Sequence, residues 1–195
     1  MAASTPQKSE DYFPELHSQR FVLRQIVQDD IGNIFKGLSH PKVIAYYGIS
    51  YDSLIATQEQ IEWYQHLEAE QTGRWWAICP CGMPDQLIGA CGLYEWDKDN
   101  HNADLGYWLH PDYWRQGVMQ ECLRTMLVHA FSAGQLHRVE AEVESANKAS
   151  SELLLKLGFQ LEGCRREVAW KNQRYIDMDY YGLLDHDFSE KIKAN

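Results

Sequence analysis

Two periods alternate along the chain. Arg20 to Val27 (RFVLRQIV) steps between apolar and polar residues, the period-2 signature of a strand with one buried face. Asp29 and Asp30 then stand as caps for a short helix, Ile31 to Leu38, that stops before Pro41. Thr57-x-x-Gln60 resembles a capping box and predicts a second helix through about Glu70. Trp75 to Cys79 and Leu87 to Trp96 read as strands joined by the Cys-Gly-Met-Pro-Asp turn region, and Asp104 to Leu109 as the next strand. From Val118 to about Ala133 the period becomes helical: Val118, Cys122, Met126 and Ala130 recur every four residues, and Leu123, Leu127 and Phe131 widen the stripe. Arg138 to Glu144 alternates strictly, with Val139, Ala141 and Val143 on one face and Glu140, Glu142 and Glu144 on the other. A short helix, Ser150 to Leu157, is closed by Gly158 as a left-handed C-cap. Two strand-like runs, Phe159 to Trp170 and Tyr175 to Leu184, turn at Lys171-Asn172. The order β-α-α-β-β-β-α-β-α-β-β predicts an α+β domain, a mixed sheet crossed by a few helices.

Composition narrows the function. At 195 residues the chain is of single-domain size, and its 45% apolar and 24% charged residues are ordinary for a globular protein. No apolar run reaches membrane-spanning length, so no membrane partner is expected. Residues 1–18 are polar and lack the apolar stretch of a secretory signal, which predicts a disordered lead-in before a domain over 19–190. Five cysteines without a disulfide-framework spacing fit a reduced, cytoplasmic protein. Cys79-Pro80-Cys81 invites a metal reading, but no second close pair completes four ligands, and no metal is expected. The net charge of −10 argues against nucleic acid as a partner and suits a basic or amine-bearing one.

The junction at Leu105 to Phe131 carries the clearest chemistry. A short strand enters a proline-started loop, Trp114-Arg115-Gln116-Gly117-Val118-Met119, that opens into the long amphipathic helix. The free N–H groups at a helix start, with the helix dipole behind them, form an anion site suited to phosphate. Gly117 permits close approach of backbone to a ligand, and Arg115 can supply charge to a pyrophosphate.

This stretch resembles the acetyl-CoA loop of the GNAT superfamily of N-acetyltransferases, Gln/Arg-x-x-Gly-x-Gly/Ala between a strand and a helix. Trp114 stands here at the Gln/Arg position and Met119 at the Gly/Ala position. Asn147-x-x-Ser150, Leu153 to Phe159 and Glu162-Gly163 resemble the segment that lies against the pantetheine arm. Leu105 to Leu109 with its following proline, and Tyr175-Ile176-Asp177 with Tyr181 to Leu184, are likewise similar to the RimJ/RimL-like branch, which acetylates ribosomal-protein N-termini. The likeness runs from about Gln19 to Phe188. It implies a single GNAT-like domain: a mostly antiparallel mixed sheet of about seven strands, splayed at its centre, with about four helices.

The same resemblance implies acetyl-CoA as co-substrate, held by Leu109, Trp114, Arg115, Gln116, Gly117, Val118, Met119, Asn147 and Ser150. Acetyl transfer needs a polarised carbonyl, a neutral amine and a donor for the leaving thiolate. The backbone N–H of Leu109 is the expected oxyanion donor. Ser150 is the candidate to protonate or hydrogen-bond the thiolate, because the position where many family members carry tyrosine is Leu154 or Leu155. Its structural alternative is a first-turn hydroxyl satisfying helix backbone. Asp104 leads the candidates for the base, followed by Glu95, with Glu142 and His101 behind them; each has the plainer reading of a surface carboxylate or histidine. His129 is expected at the buried edge of its helix. Seven Trp and eleven Tyr are many for this length, and Trp63, Tyr64, Trp75, Trp76, Tyr94 and Trp96 cluster ahead of the loop, where aromatic faces can grip an amine.

The sequence thus points to an N-acetyltransferase acting on a primary amine, with a protein or peptide N-terminus as the leading acceptor, as a monomer or homodimer. The other readings are a small-molecule enzyme for an aminoglycoside or polyamine, and a non-catalytic acyl-CoA-binding module.

Overall fold

The computed structural model describes residues 13–132 and 136–194. Among them the chain forms strands β1 (Leu16–His17), β2 (Phe21–Gln25), β3 (Arg74–Pro80), β4 (Gly89–Asp97), β5 (Asn102–Leu109), β6 (Arg138–Glu144), β7 (Gln160–Lys171) and β8 (Arg174–Leu184). The helices are α1 (Ile31–Leu38), α2 (Pro41–Ile44), α3 (Leu54–Ala69), α4 (Val118–Ser132), α5 (Lys148–Leu157) and α6 (Asp185–Ala194). One sheet takes the order β1-β2-β3-β4-β5-β6-β8-β7, antiparallel everywhere except between β5 and β6.

Strand alternation sends side chains to two cores. On one face Leu23, Ile78, Leu105, Val139 and Leu183 pack with Leu123, Met126 and Leu127 of α4 and Leu154 and Leu157 of α5. On the other, Trp75, Ala77 and Trp108 meet Ile34 and Leu38 of α1 and Ile61, Tyr64 and Leu67 of α3. Trp75 lies flat across β4 and β5, and a Cβ placed on the register partners Gly92 or Gly106 would come within 2.3 or 2.6 Å of its ring. Glycine at these two positions is what lets the indole rest on the sheet.

The sheet is nearly two sheets. β5 and β6 share only three register pairs, Asn102↔Arg138, Ala103↔Val139 and Asp104↔Glu140. From Leu105 onward β5 is paired with β4 alone, and from Ala141 onward β6 is paired with β8 alone. The strands diverge as the splayed centre predicted, and the wedge between them is the feature that positions the site.

Several expectations move. The lead-in expected over residues 1–18 gives way to structure by Phe13: its ring meets Trp76 edge-on at 5.7 Å, Pro14 C=O accepts the Trp76 indole N–H, and Leu16–His17 pairs with β2. Residues 1–12 lie outside the described residues. Helix α3 starts earlier than Thr57 because Ser53 is its N-cap, Oγ accepting from Ala56 N–H at 3.2 Å; Thr57 sits inside and donates back to Ser53 C=O. Eight strands and six α-helices replace the expected seven and four. The additions escape pattern reading: β1 has two residues, α2 has four and starts at Pro41 behind a His40 cap, and α6 is polar. α6 also carries the folded region past residue 190. The last hairpin turns at Asn172-Gln173, both with positive φ, as a two-residue hairpin loop requires.

Candidate functional site

The loop at the head of α4 takes its shape from two left-handed residues and from side chains that tie it to its surroundings. Arg115 and Gly117 both hold positive φ, 60° and 72°, either side of Gln116. A non-glycine residue there stores strain on the order of 1 kcal/mol, and left-handed residues next to right-handed ones turn successive N–H groups to one side as an anion-binding nest. Trp114 anchors the entry, its indole N–H donating to Leu109 C=O at 2.7 Å. The Gln116 amide donates to Asp112 C=O at 2.8 Å. Val118 and Met119 bury their side chains in the α4 core and offer only backbone to the loop. The two departures from the family pattern are thereby accounted for: Trp114 ties the loop to β5, and Met119 fills core that glycine or alanine would leave empty.

Arg20, on the turn before β2, clamps this loop from outside. Its Nη1 and Nη2 each donate to Gln116 C=O at 3.1 Å, and its Nε to Glu121 of α4 at 2.7 Å. Glu121 also accepts from Ser18 Oγ and from the Arg20 backbone N–H. Burial pushes the Glu121 pKa up, but the hydrogen bonds from Ser18 and Arg20 outweigh it and the carboxyl sits below its ordinary value. Nothing but the Arg20 guanidinium lies within 4 Å of where a Gly117 Cβ would be. A pyrophosphate fits this cradle: it is open, strained into shape and backed by a helix start and a guanidinium.

Across the wedge, Asn147 caps α5, Oδ1 accepting from Ser150 N–H at 3.3 Å, so part of the side chain assigned to pantetheine is committed to the helix. Ser150 Oγ does not turn to its own helix backbone; it lies 2.6 Å from the Tyr107 hydroxyl of β5. That bond ties β5, beyond its last pair with β6, to the helix that follows β6. Burial raises the Tyr107 phenol to about 12, partly offset by the Ser150 hydrogen bond, so it stays neutral at ordinary pH. Leu154 is fully buried and Leu155 half exposed.

Asp104 stands at the crotch of the wedge, the last β5 residue paired with β6, opposite Tyr94 on β4 and Glu140 on β6. Burial first, and then the negative charges of Glu95, Glu140 and Glu142, push its pKa to about 6. Glu95 occupies a bulge in β4 with φ 49°. Tyr94 rises to about 12 by burial and by the charges of Asp104, Glu95 and Glu142. Around this basin Trp63 meets Trp75 at 5.5 Å and Tyr94 at 6.0 Å, and Tyr64 meets Trp75 at 5.1 Å.

The structure therefore gathers Asp104, Glu95 and Glu142 with Trp63, Tyr64, Trp75 and Tyr94 on the α3 face, and Ser150, Asn147 and the loop on the other side. It separates two of the predicted aromatics. Trp76 points to the opposite face, against Phe13 and 6.1 Å from His129, because neighbours in a strand point oppositely; Trp96 packs on the α4 core because the bulge between Tyr94 and Asp97 breaks the alternation. His129 is half-buried with its pKa lowered by burial and by Arg74, in keeping with its expected place. His101 lies in the exposed turn between β4 and β5. Cys79 is buried, Cys81 is exposed, and among the described residues no three of His, Cys, Asp and Glu are grouped to hold a metal. Tyr107, Glu140 and Arg20 went unread in the sequence. Tyr107 was within reach, since alternation with Leu105 and Leu109 puts it on the α4 face; Arg20 was not, being 96 residues from Gln116.

Known proteins resemble this chain in sequence and fold. A family profile described as Acetyltransferase (GNAT) domain matches residues 20–160. An uncharacterized N-acetyltransferase of Bacillus subtilis, YoaA, is 34% identical over 88% of this chain and 97% of its own length. The ribosomal-protein-serine acetyltransferase of Escherichia coli is 31% identical over 51% of this chain and 56% of its own. The solved spermidine N-acetyltransferase of Vibrio cholerae, in complex with CoA and spermine, superposes with a TM-score of 0.77 at 21% identity, covering 87% of this chain and 98% of that one; at that identity the likeness shows the fold. Loop, wedge and relatives converge: the chain belongs to the GNAT family of acetyltransferases and is an N-acetyltransferase whose acyl donor is acetyl-CoA.

Proposed function

We propose that the acceptor is the N-terminal amine of a protein, delivered to Asp104 at the crotch of the wedge. The observation that carries this reading is the basin itself: one half-buried carboxyl with a pKa near 6, walled by Trp63, Trp75 and Tyr94 and bordered by Glu95 and Glu142. Such a site attracts an ammonium by charge and cation–π contact, then takes its proton. Beyond it, Lys171 at the β7–β8 tip donates to Ala45 C=O and pairs with Glu144, bringing the exposed Trp170 and Tyr175 to the rim, where the following residues of a polypeptide can lie. The likeness to the ribosomal-protein-serine acetyltransferase points the same way.

Bound acetyl-CoA supplies the activated acyl carbon. The loop from Trp114 to Met119 holds its pyrophosphate through backbone N–H groups and Arg115, and Asn147 and the free edge of β5 orient the pantetheine arm. Leu109 N–H polarises the carbonyl oxygen. Asp104, with Glu95 as its electrostatic neighbour, accepts the amine proton. Ser150 hydrogen-bonds the departing sulfur.

The test is an acceptor panel of peptides with free N-termini, spermidine, spermine and aminoglycosides, read by thiol release. Peptide turnover with kcat/KM at least about tenfold above the small amines, a difference of ~1.4 kcal/mol in transition-state binding, is the expected result. Turnover of spermidine with no turnover of any peptide overturns the protein acceptor in favour of a polyamine. Stabilisation by acetyl-CoA without thiol release from any acceptor overturns the catalytic assignment of the basin.

A further inference from the structure

We infer that Tyr107 is a positioning residue for the reaction, fixing the Ser150 hydroxyl so that its proton points to the leaving sulfur; the inference rests on the reading of Ser150 as the group that stabilises the thiolate. Three observations meet at this bond. It is short, 2.6 Å between the two oxygens. It spans the wedge, since Tyr107 lies on β5 three residues past the Asp104↔Glu140 pair and Ser150 lies in the first turn of α5, after β6. It also leaves Ser150 no need of its own helix, because Ser150 N–H is already satisfied by Asn147 Oδ1.

The chemistry follows from counting protons. A hydroxyl has one proton and two lone pairs. When Tyr107 O–H donates to Ser150 Oγ, a lone pair of the serine is filled and its proton is free to turn elsewhere. The opposite arrangement, serine donating to tyrosine, spends the serine proton on the phenol, so it is the tyrosine-to-serine direction that leaves the Ser150 proton for the sulfur. A neutral phenol is required for this, and burial of Tyr107 keeps it neutral. The pair offers a hydrogen bond to the sulfur as the C–S bond breaks; the electron pair stays on sulfur and no proton is transferred. A lone serine hydroxyl rotates freely and wins less from the same contact. A serine anchored by a buried phenol is preorganised, and preorganised donors stabilise developing charge most.

Tyr107→Phe removes one oxygen and keeps the ring, so the fold and the cofactor-loop geometry persist. The expected effect is a fall in kcat of roughly ten- to 150-fold, the range for a hydrogen bond to a charged group, with the KM for acetyl-CoA within about twofold of the parent. A second readout needs no turnover. The thiolate absorbance of enzyme-bound CoA is titrated with pH; the parent protein holds the thiol pKa below that of free CoA, and both Tyr107→Phe and Ser150→Ala raise it by roughly one unit, the same tenfold in other terms. Affinity for desulfo-CoA, which lacks the sulfur, stays unchanged in both variants. The double variant is expected to be no worse than Ser150→Ala alone, because the two hydroxyls act as a unit. An unchanged kcat and thiol pKa in Tyr107→Phe, with Ser150→Ala impaired, overturns the inference and leaves the reading of Ser150 standing. Additive losses in the double variant also overturn it. If both single variants match the parent, the role of Ser150 falls and the inference falls with it.

Discussion

Asp104 shows how much one residue takes from its surroundings. As a strand-start carboxylate it is unremarkable in sequence, and its plainer reading was a surface ion pair. The fold instead half-buries it among three other carboxylates and lifts its pKa from 3.8 to about 6. A carboxyl whose folded pKa is raised binds its proton more tightly when folded, so its contribution to stability is intact below about pH 4 and is lost as pH rises through 6. Asp104→Asn is therefore expected to melt at a higher temperature than the parent at pH 7 to 8, and at the same temperature near pH 4, in thermal scans across pH. In kcat/KM profiles the parent should show an acid limb near pH 6, and the variant should lose the limb together with roughly a hundredfold in rate. A wild-type acid limb that persists in Asp104→Asn removes it as the base. The residue type and its strand were legible in the sequence. The pKa was not, because Glu140 and Glu142 reach it only through the parallel pairing of β5 with β6.

At the scale of elements, the long periodic ones were legible and the short or long-range ones were not. α4 follows from its buried stripe, and β6 falls at Arg138–Glu144, where strict alternation put it. α2 and β1 have too few residues to show a period, and α3 was mis-started because Ser53 outranks Thr57 as a cap once the loop before it is placed. The phosphate loop was readable as a strand–loop–helix junction, but its clamp was not, since β2 and α4 meet only in the folded chain. That clamp gives a prediction for the junction as a whole. Arg20→Ala deletes the bonds to Gln116 C=O and leaves Glu121 facing the loop without its guanidinium, held only by Ser18 Oγ and the residue 20 backbone N–H. Calorimetric affinity for CoA is expected to fall about tenfold, or ~1.4 kcal/mol, while turnover at saturating acetyl-CoA stays within about twofold. Equal loss in kcat would mean that the loop's placement also governs the reacting end.

For the whole molecule, the sequence order implied the mixed sheet and its family resemblance implied the splay, and both are present. The seam of three pairs has a consequence for mechanics. Hydrogen bonds divide the sheet into β1–β5 and β6–β8, and beyond Asp104 the bridging is left to side chains such as Tyr107 and Ser150 and to the helices packed below. A ligand lying along both free edges acts as a splint. Ligand at about a hundred times its Kd adds roughly 2.7 kcal/mol to folding stability by mass action. Amide hydrogen exchange should place much of that gain unevenly, slowing Leu105 to Leu109, Ala141 to Glu144 and the loop at 114–119 more than β2, β3 or α3. Uniform slowing across the sheet would mean that the halves already move as one body. The polypeptide between turnovers is then the softer object, and its acyl donor is also part of its framework.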